Sequence, residues 1–133
     1  MDTYEFASQI AQLMVFDVLT SNWDRFSSVR SYYGANTHFG QGRLIALDNG
    51  AAFHTQSMEK VNALLSKVER FSRTQIAALR ALTPGSLDDV LFEDASALER
   101  QRMRVFWSQR ELVLRHVDAL IEAYGEDAVL CFE

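Results

Sequence analysis

Apolar side chains recur every three or four residues through the first part of the chain, which is the spacing of an amphipathic α-helix. The pattern predicts a helix over residues 3–19, with Asp2 or Thr3 as its N-cap. Further apolar residues widen the stripe, so we expect the helix to be buried on most sides. Short polar side chains that compete with the helical backbone then predict a loop over residues 20–27.

The pattern changes between residues 28 and 47, where it is typical of a β-hairpin. The run from Val29 to Tyr33 is rich in β-forming residues, and glycines punctuate the connection that follows. The run from Arg43 to Leu47 supplies the second strand. We expect that strand to be buried, because its apolar residues do not alternate with polar ones. Gly50 then suits a tight turn with a positive φ.

From Ser57 onward the pattern predicts helices only. One helix starts at Ser57, and a second is capped by Ser72 and stopped by Pro84-Gly85. A short capped turn over residues 86–89 follows it. The predicted fold class is therefore mainly α with one small β-hairpin.

A long apolar stripe over residues 96–124 predicts two helices that break near Trp107. Ser108 and Glu111 have the spacing of a capping box, which would start the second helix, and Gly125 would end it. No repeat, low-complexity tract or linker interrupts the sequence. We therefore expect the whole chain to form a single domain.

Composition and charge exclude several classes of protein. Of the 133 residues, 48% are hydrophobic and 23% are charged, as in ordinary globular proteins. The 13 basic and 18 acidic residues give a net charge of −5, which argues against a nucleic-acid partner. No apolar run approaches the roughly 18 residues that a membrane span needs, and we expect no charged-then-apolar N-terminal leader. Cys131 is the single cysteine and the histidines are scattered, so we expect no disulfide, no zinc site and a cytoplasmic location.

Two aspartates stand where predicted elements give way to loops. Asp24 follows the first helix, next to Asn22 and Arg25, and Asp48 follows the apolar strand. Either aspartate alone has a structural explanation as a cap or turn residue. Two carboxylates together suit phosphoryl transfer, in which one orients the attacking hydroxyl and the other holds the Mg²⁺ that bridges the nucleotide phosphates. We expect the two side chains to approach each other across a shared cleft.

The loop after the first helix crowds polar and apolar residues together. Asn22, Asp24 and Arg25 alternate with large apolar side chains, so their desolvation is unfavourable unless hydrogen bonds hold the loop. Asp17 precedes the loop and is flanked by apolar residues. We therefore expect Asp17 to accept hydrogen bonds from the loop and not to face solvent.

At these residues the sequence resembles the atypical kinases of the four-jointed and Golgi casein kinase group, relatives of the HipA-type and phosphatidylinositol kinases. In that family a helix leads into a motif of the form D-x-L-x-x-N-x-D-R, and an apolar strand that ends in D-N-G follows. The matching residues here are Asp17, Leu19, Asn22, Asp24 and Arg25, then Leu44-Ile45-Ala46-Leu47-Asp48-Asn49-Gly50. The resemblance extends to about Tyr124 and implies a protein-kinase-like C-lobe.

The resemblance also implies a role for each site residue. Asp24 would orient the acceptor hydroxyl and take its proton, and Asp48 would bind the Mg²⁺ or Mn²⁺ that accompanies ATP. Asn22 and Arg25 would shape the catalytic loop, with Arg25 also a partner for a carboxylate or phosphate. Asn49 would assist with the metal or with the turn.

Departures from the kinase pattern leave two functions open. The place of a second metal-binding Asn is taken by Val29, and the only lysines, Lys60 and Lys67, both follow Asp48. Met1 lies one helix before the motif, so we expect a C-lobe without an N-lobe. One interpretation is a phosphotransferase lobe that is weakly active or inactive alone and needs an N-lobe from elsewhere. The alternative is a non-catalytic, kinase-derived interaction or regulatory module. Protein, sugar and small-molecule hydroxyls are all consistent acceptors.

A lobe without its partner lobe should expose an apolar face beside the motif. The candidate residues for that face are Trp23, Phe26, Tyr32, Tyr33 and Phe53. An uncovered apolar patch of more than a few hundred Å² usually marks a partner site. We therefore expect an N-lobe, another protein or a second copy of the chain to bind there.

Overall fold

The structure, a computed structural model, describes residues 2–26, 36–53, 58–91 and 96–133, with the backbone alone for residues 88–91. The elements in chain order are α1 (Thr3–Leu19), β1 (Thr37–Gly40), β2 (Arg43–Ala46), α2 (Met58–Leu65), α3 (Arg73–Ala81), α4 (Pro84–Leu91), α5 (Ala97–Tyr124) and α6 (Glu126–Val129). The predicted mainly α fold with a small antiparallel hairpin is confirmed. In the described part of the chain, no helix combines the length and the hydropathy needed to cross a membrane.

Helix α1 begins and ends where the apolar pattern predicts. The Asp2 carboxylate accepts a hydrogen bond from the Glu5 backbone N–H (2.8 Å), which satisfies one free donor of the first turn. At the other end the Thr20 hydroxyl donates to the Phe16 carbonyl (2.9 Å). The expected burial on most sides is wrong. Phe16 is 41% exposed, because the core and the hairpin cover only part of the helix surface.

The hairpin packs one of its two faces on α1. Gln9 of α1 accepts a hydrogen bond from the Leu44 backbone N–H (2.6 Å) and donates to the Gly42 carbonyl (3.2 Å), so one side chain holds the turn and the start of β2. The expected burial of the second strand is wrong, since Ile45 is 45% exposed. Successive strand residues point to opposite faces, and only the face that carries Leu44 and Ala46 meets the helix.

Among the described residues, β2 pairs with a strand that the sequence pattern did not indicate. The expected first strand from Val29 to Tyr33 lies outside the described residues. The strand that pairs with β2 is β1, in the register Thr37 opposite Ala46.

The helices after residue 72 differ from prediction at two places. Ser72 caps α3 as expected, through a bond from the Gln75 backbone N–H (3.1 Å), and α3 ends at Ala81, ahead of the predicted stop at Pro84-Gly85. Pro84 is the first residue of α4. This position tolerates proline, because the backbone N–H that proline lacks would have no partner within the helix in any case. The expected capped turn over residues 86–89 belongs to this helix.

The predicted break near Trp107 does not occur, and α5 is continuous. Its capping box is formed by Ser96 and Glu99 at the true N-terminus. Arg110, which the second capping pattern included, instead donates to the carbonyls of Leu79 (2.8 Å) and Arg80 (3.0 Å) at the end of α3. The spacing of a capping box is thus insufficient where the apolar stripe runs on without Gly or Pro. Gly125 ends α5 as predicted, with φ 87°.

The core lies between α1, α2, α3, α5 and the C-terminal segment. Its buried residues are Ala11, Val15, Val18, Leu19, Val61, Leu64, Leu65, Val68, Phe71, Ile76, Leu79, Val113, Leu114, Val117, Val129, Leu130 and Phe132. At one end of the core, the Phe71 N–H donates to the Val129 carbonyl (2.8 Å) and the Phe132 N–H donates to the Phe71 carbonyl (3.1 Å). At the other end, Val18 and Leu19 lead the chain into the candidate site.

Candidate functional site

The chain turns back sharply on itself where α1 ends. Ser21 adopts a left-handed conformation (φ 55°), and the Asn22 backbone N–H donates to the Asp17 carbonyl (2.8 Å). The Asn22 side-chain oxygen then accepts from the Asp24 backbone N–H (3.3 Å). Asn22 is fully buried, so it shapes this loop from inside, as the resemblance implies.

Arg25 connects this loop to the hairpin and to the turn after it. Its Nε donates to Asp17 Oδ2 (2.8 Å), and its Nη1 donates to the backbone carbonyls of Asn36 (2.8 Å) and Leu47 (3.0 Å). Its Nη2 donates to the side-chain oxygen of Asn49. We call Arg25 and these four acceptors the Arg25 clamp. The Arg25 side chain is only 1% exposed, so its charge interacts with groups inside the protein and not with solvent.

The Asp17 carboxylate of the clamp has a raised pKa. Burial raises the pKa of Asp17 from its ordinary 3.8 to about 6, against the opposing charge and hydrogen bond of Arg25 and the smaller effect of Asn22. Asp17 Oδ1, Ser21 Oγ and Asn22 Nδ2 are buried with no hydrogen-bond partner among the described residues. The expectation that Asp17 accepts bonds from the loop is confirmed, and the end of α1 is a polar interior.

Asp24 and Asp48 are each one residue away from the clamp. Asp24 precedes Arg25 and is half-buried. Asp48 lies between Leu47 and Asn49, both of which accept from Arg25. The clamp therefore joins the backbone segments that carry the two predicted carboxylates. We call the region where the loop after α1 meets the hairpin and its following turn the junction. A further hydrogen bond, from the Phe53 backbone N–H to the Thr20 carbonyl, also spans it.

Asp48 itself makes the turn that follows the hairpin. It is exposed, it has a positive φ (48°), and its Oδ1 accepts from the Gly50 backbone N–H (3.0 Å). The left-handed position predicted for Gly50 is thus occupied by Asp48, whose short side chain tolerates it by bonding to the turn.

The donor set for a metal ion is small. The part of the chain that the structure describes contains no group of three or more His, Cys, Asp or Glu side chains that could hold a metal. Carboxylate oxygens are the ligand type that Mg²⁺ and Mn²⁺ prefer, and Mg²⁺ is commonly held by one or two carboxylates together with water and substrate phosphates. Asp48 has the right chemistry for such a site. Asn49 is committed through its side-chain oxygen to Arg25.

The apolar face beside the motif differs from the predicted one. Trp23 and Phe26 pack partly buried against the core, and Phe53 is half-buried. Tyr32 and Tyr33 lie outside the described residues. The exposed apolar side chains near the junction are instead Phe16 of α1 and Ile45 and Leu47 of the hairpin, the last two 45% and 49% exposed.

One charged residue beside the loop was missed by sequence reasoning. The Lys60 ammonium of α2 lies 5.9 Å from the centroid of the Trp23 ring, a cation–π distance. The available signal was the helix spacing of Val61, Leu64 and Leu65, which turns Lys60 away from the core.

The two backbone acceptors of Arg25 were also missed, because carbonyl positions depend on how the hairpin docks.

Comparisons with protein-family models, with curated proteins and with solved structures found no match. The kinase resemblance therefore rests on the motif residues alone and stays a prediction.

Proposed function

We propose that this chain is a phosphotransferase lobe that acts with Mg²⁺ or Mn²⁺ and ATP. The observation that carries the proposal is the Arg25 clamp, which ties the segment bearing Asp24 to the residues on both sides of Asp48. Phosphoryl transfer depends on the positioning of charged groups more than on covalent chemistry, and a buried arginine that donates to several separate acceptors is a rigid way to position them.

Each carboxylate has a separate task in this proposal. The acceptor oxygen attacks the terminal phosphorus, the bond to the leaving nucleoside diphosphate breaks, and the hydroxyl proton passes to Asp24. Asp48 would hold the metal ion, which supplies charge neutralisation at the phosphates when it is bound. Asn22 and Arg25 are positioning residues, since both are buried and bond within the protein. Asn49 is held by Arg25 and would fix the turn that presents Asp48.

The proposed lobe requires a partner to complete a nucleotide site. Ile45 and Leu47 expose apolar side chains just before Asp48, and Phe16 exposes one near the end of α1. We expect an N-lobe-like protein to cover them, and self-association of the chain is the other outcome. Sedimentation velocity at micromolar concentration should show that Ile45→Asp lowers association, whereas Leu98→Asp, an equally exposed apolar residue on α5, does not.

The second candidate function is a non-catalytic interaction module derived from a kinase. What favours it is the commitment of polar side chains to structure: Asn49 bonds to Arg25, and Asp48 bonds to Gly50. A clamp that only stabilises the junction would keep the same residues without activity.

Nucleotide binding and turnover separate the two functions. With a candidate N-lobe added, binding of ATP in the presence of Mn²⁺ should be lost in Asp48→Asn and retained in Asp24→Asn. ATP turnover, with a candidate N-lobe added, should be lost in both. Glu122→Gln, an exposed carboxylate change on α5, is the matched control. If Asp48→Asn binds manganese nucleotide as tightly as the unaltered chain, or if no variant binds it, the interaction-module function is supported.

A further inference from the structure

We infer that Lys60 is the phosphate-contacting cation of the candidate site, held by the ring of Trp23 beside the loop that carries Asp24. This inference rests on the proposed function, because it assigns to that site the positive charge that a phosphorylated substrate needs. The two carboxylates, Asp24 and Asp48, repel a phosphate unless a metal ion and a cation offset them.

The other cations near the site, among the residues that the structure describes, are not available. Arg25 directs every nitrogen of its guanidinium to an acceptor of the clamp and is shielded from solvent, so it cannot reach a substrate. Arg43 lies at the far end of β2, five residues before Asp48, which is roughly 16 Å along an extended strand. Lys60 is exposed, and it forms no ion pair with any described residue.

The position of Lys60 is fixed from both sides. Its helix is anchored by Val61, which is fully buried, and by Asn62, whose side-chain oxygen accepts from Gln109 Nε2 (2.9 Å). The same nitrogen of Gln109 donates to the Val18 carbonyl (3.0 Å), so α2 is tied directly to the end of α1. Trp23, in the loop that follows, then holds the ammonium near its ring. A charge that is already oriented loses less conformational entropy when it binds an anion.

A second cation–π pair in the chain provides an internal control. Arg110 lies 5.5 Å from the Trp107 ring, but its guanidinium donates to Leu79 and Arg80 and pairs with Glu111. Trp107 is therefore beside a committed cation, and Trp23 is beside an uncommitted one. The chain has two tryptophans and two lysines in all, so each can be followed separately.

The test uses inorganic pyrophosphate as the probe and NMR of the whole chain carrying ¹³C-dimethylated lysines. Pyrophosphate with Mg²⁺ should shift the Lys60 methyl and Trp23 indole signals, and leave those of Lys67 and Trp107 in place. Lys60→Met should weaken binding roughly tenfold or more, the loss of one charge-assisted hydrogen bond, and Lys60→Arg should restore most of it. Lys67→Met is the matched control and should bind as the unaltered chain does.

The outcomes distinguish this inference from the proposed function. Unchanged pyrophosphate affinity in Lys60→Met, shifts at Lys67 in place of Lys60, or no binding by the unaltered chain would each overturn the assignment. Manganese-ATP turnover that survives in Lys60→Met would do the same while leaving the phosphotransferase function intact. Shifts at Lys60 without any ATP turnover when a candidate N-lobe is present would keep the anion site and remove the enzymatic function.

Discussion

Arg25 and Arg73 both connect parts of the chain that are distant in sequence, but they do so in opposite environments. Arg25 is buried and joins the end of α1 to the hairpin and its following turn. Arg73 is 46% exposed and pairs with Glu126 (2.5 Å) and Asp127 (3.0 Å) of α6. Buried and exposed ion pairs of similar geometry differ greatly in what their loss costs, so the two regions test what each arrangement contributes.

The two regions also differ in what surrounds the ion pair. Around Arg73, the backbone bonds of Phe71 and Phe132 and a fully apolar core already fix the C-terminal segment. Around Arg25, the described part of the hairpin lends few apolar contacts, and polar atoms of Asp17, Ser21 and Asn22 are buried without described partners. Buried polar atoms without hydrogen-bond partners lower the stability of the fold, and such sites are often functional.

The largest expected effect comes from removing the buried cation. Arg25→Met should lower the free energy of unfolding by about 3–5 kcal/mol, because it leaves the Asp17 carboxylate and two backbone carbonyls without a donor in the interior. Urea unfolding at pH 7.5 measures the change. Arg73→Met is the control, and it should leave the urea midpoint unchanged. An equal shift in both variants would show that burial does not distinguish the two arginines.

The second effect is a pH dependence that arises at Asp17. Its pKa in the folded chain is raised to about 6 from its ordinary 3.8, so between those values the folded state holds a proton that the unfolded state has released. Stability due to this residue is therefore fully present below about pH 4 and is lost as the pH rises to about 6. A shift of this size corresponds to about 3 kcal/mol.

Asp17→Asn isolates that dependence, because the amide keeps an acceptor for Arg25 and does not titrate. The difference in unfolding free energy between the two proteins should grow in favour of Asn as the pH rises from 4 to 6.5, and then level off. A difference that stays constant across this range, or that favours Asp at the higher pH, would mean that the charge of Arg25 outweighs the burial of the carboxylate.

The sequence predicted that the loop around Arg25 is polar and hydrogen-bonded, but it did not predict the geometry of that loop. The crowding of Asn22, Asp24 and Arg25 with apolar residues required a hydrogen-bonded loop, and Asp17 does accept from it. The pattern could not indicate that Arg25 would also bind two backbone carbonyls, because those depend on the docking of the hairpin against α1. The same tertiary contact, through Gln9 and Leu44, leaves one face of β2 exposed against the expectation from its apolar run.

In the apolar region, the sequence predicted where most helices lie, but it misplaced some of the helix ends. Ser72 and Gly125 act where their residue types indicate, since a cap is a local property. The predicted break at Trp107 failed because Gln109 and Arg110 take part in long-range bonds that need an unbroken helix. The clamp joins the neighbours of Asp24 and Asp48, but the approach of the two carboxylates and the roles given to them stay predictions.

A smaller effect should follow from loosening the tie between α1 and α2. Gln109→Leu removes the donor to the Val18 carbonyl and to Asn62, and should lower the free energy of unfolding by about 1–3 kcal/mol. Leu120→Ala, on the same helix and only partly buried, is a control for general damage to α5. Hydrogen exchange should rise at the end of α1 and in α2 for Gln109→Leu only. A rise confined to α5 would contradict the tie.

The smallest effect is expected at Arg73, and its absence is the informative result. Glu126 and Asp127 are both exposed, so the ion pairs are solvated and screened, and ordering three long side chains offsets much of their attraction. The neighbouring backbone bonds, Arg73 N–H to the Phe132 carbonyl (2.7 Å) among them, do not depend on the guanidinium. Arg73→Gln should therefore leave the melting temperature unchanged at 0.15 M salt, with a small decrease at low ionic strength. A marked decrease at 0.15 M salt would show that the surface pairs hold α6 in place. In that case, burial would not be what separates the clamp from the C-terminal segment.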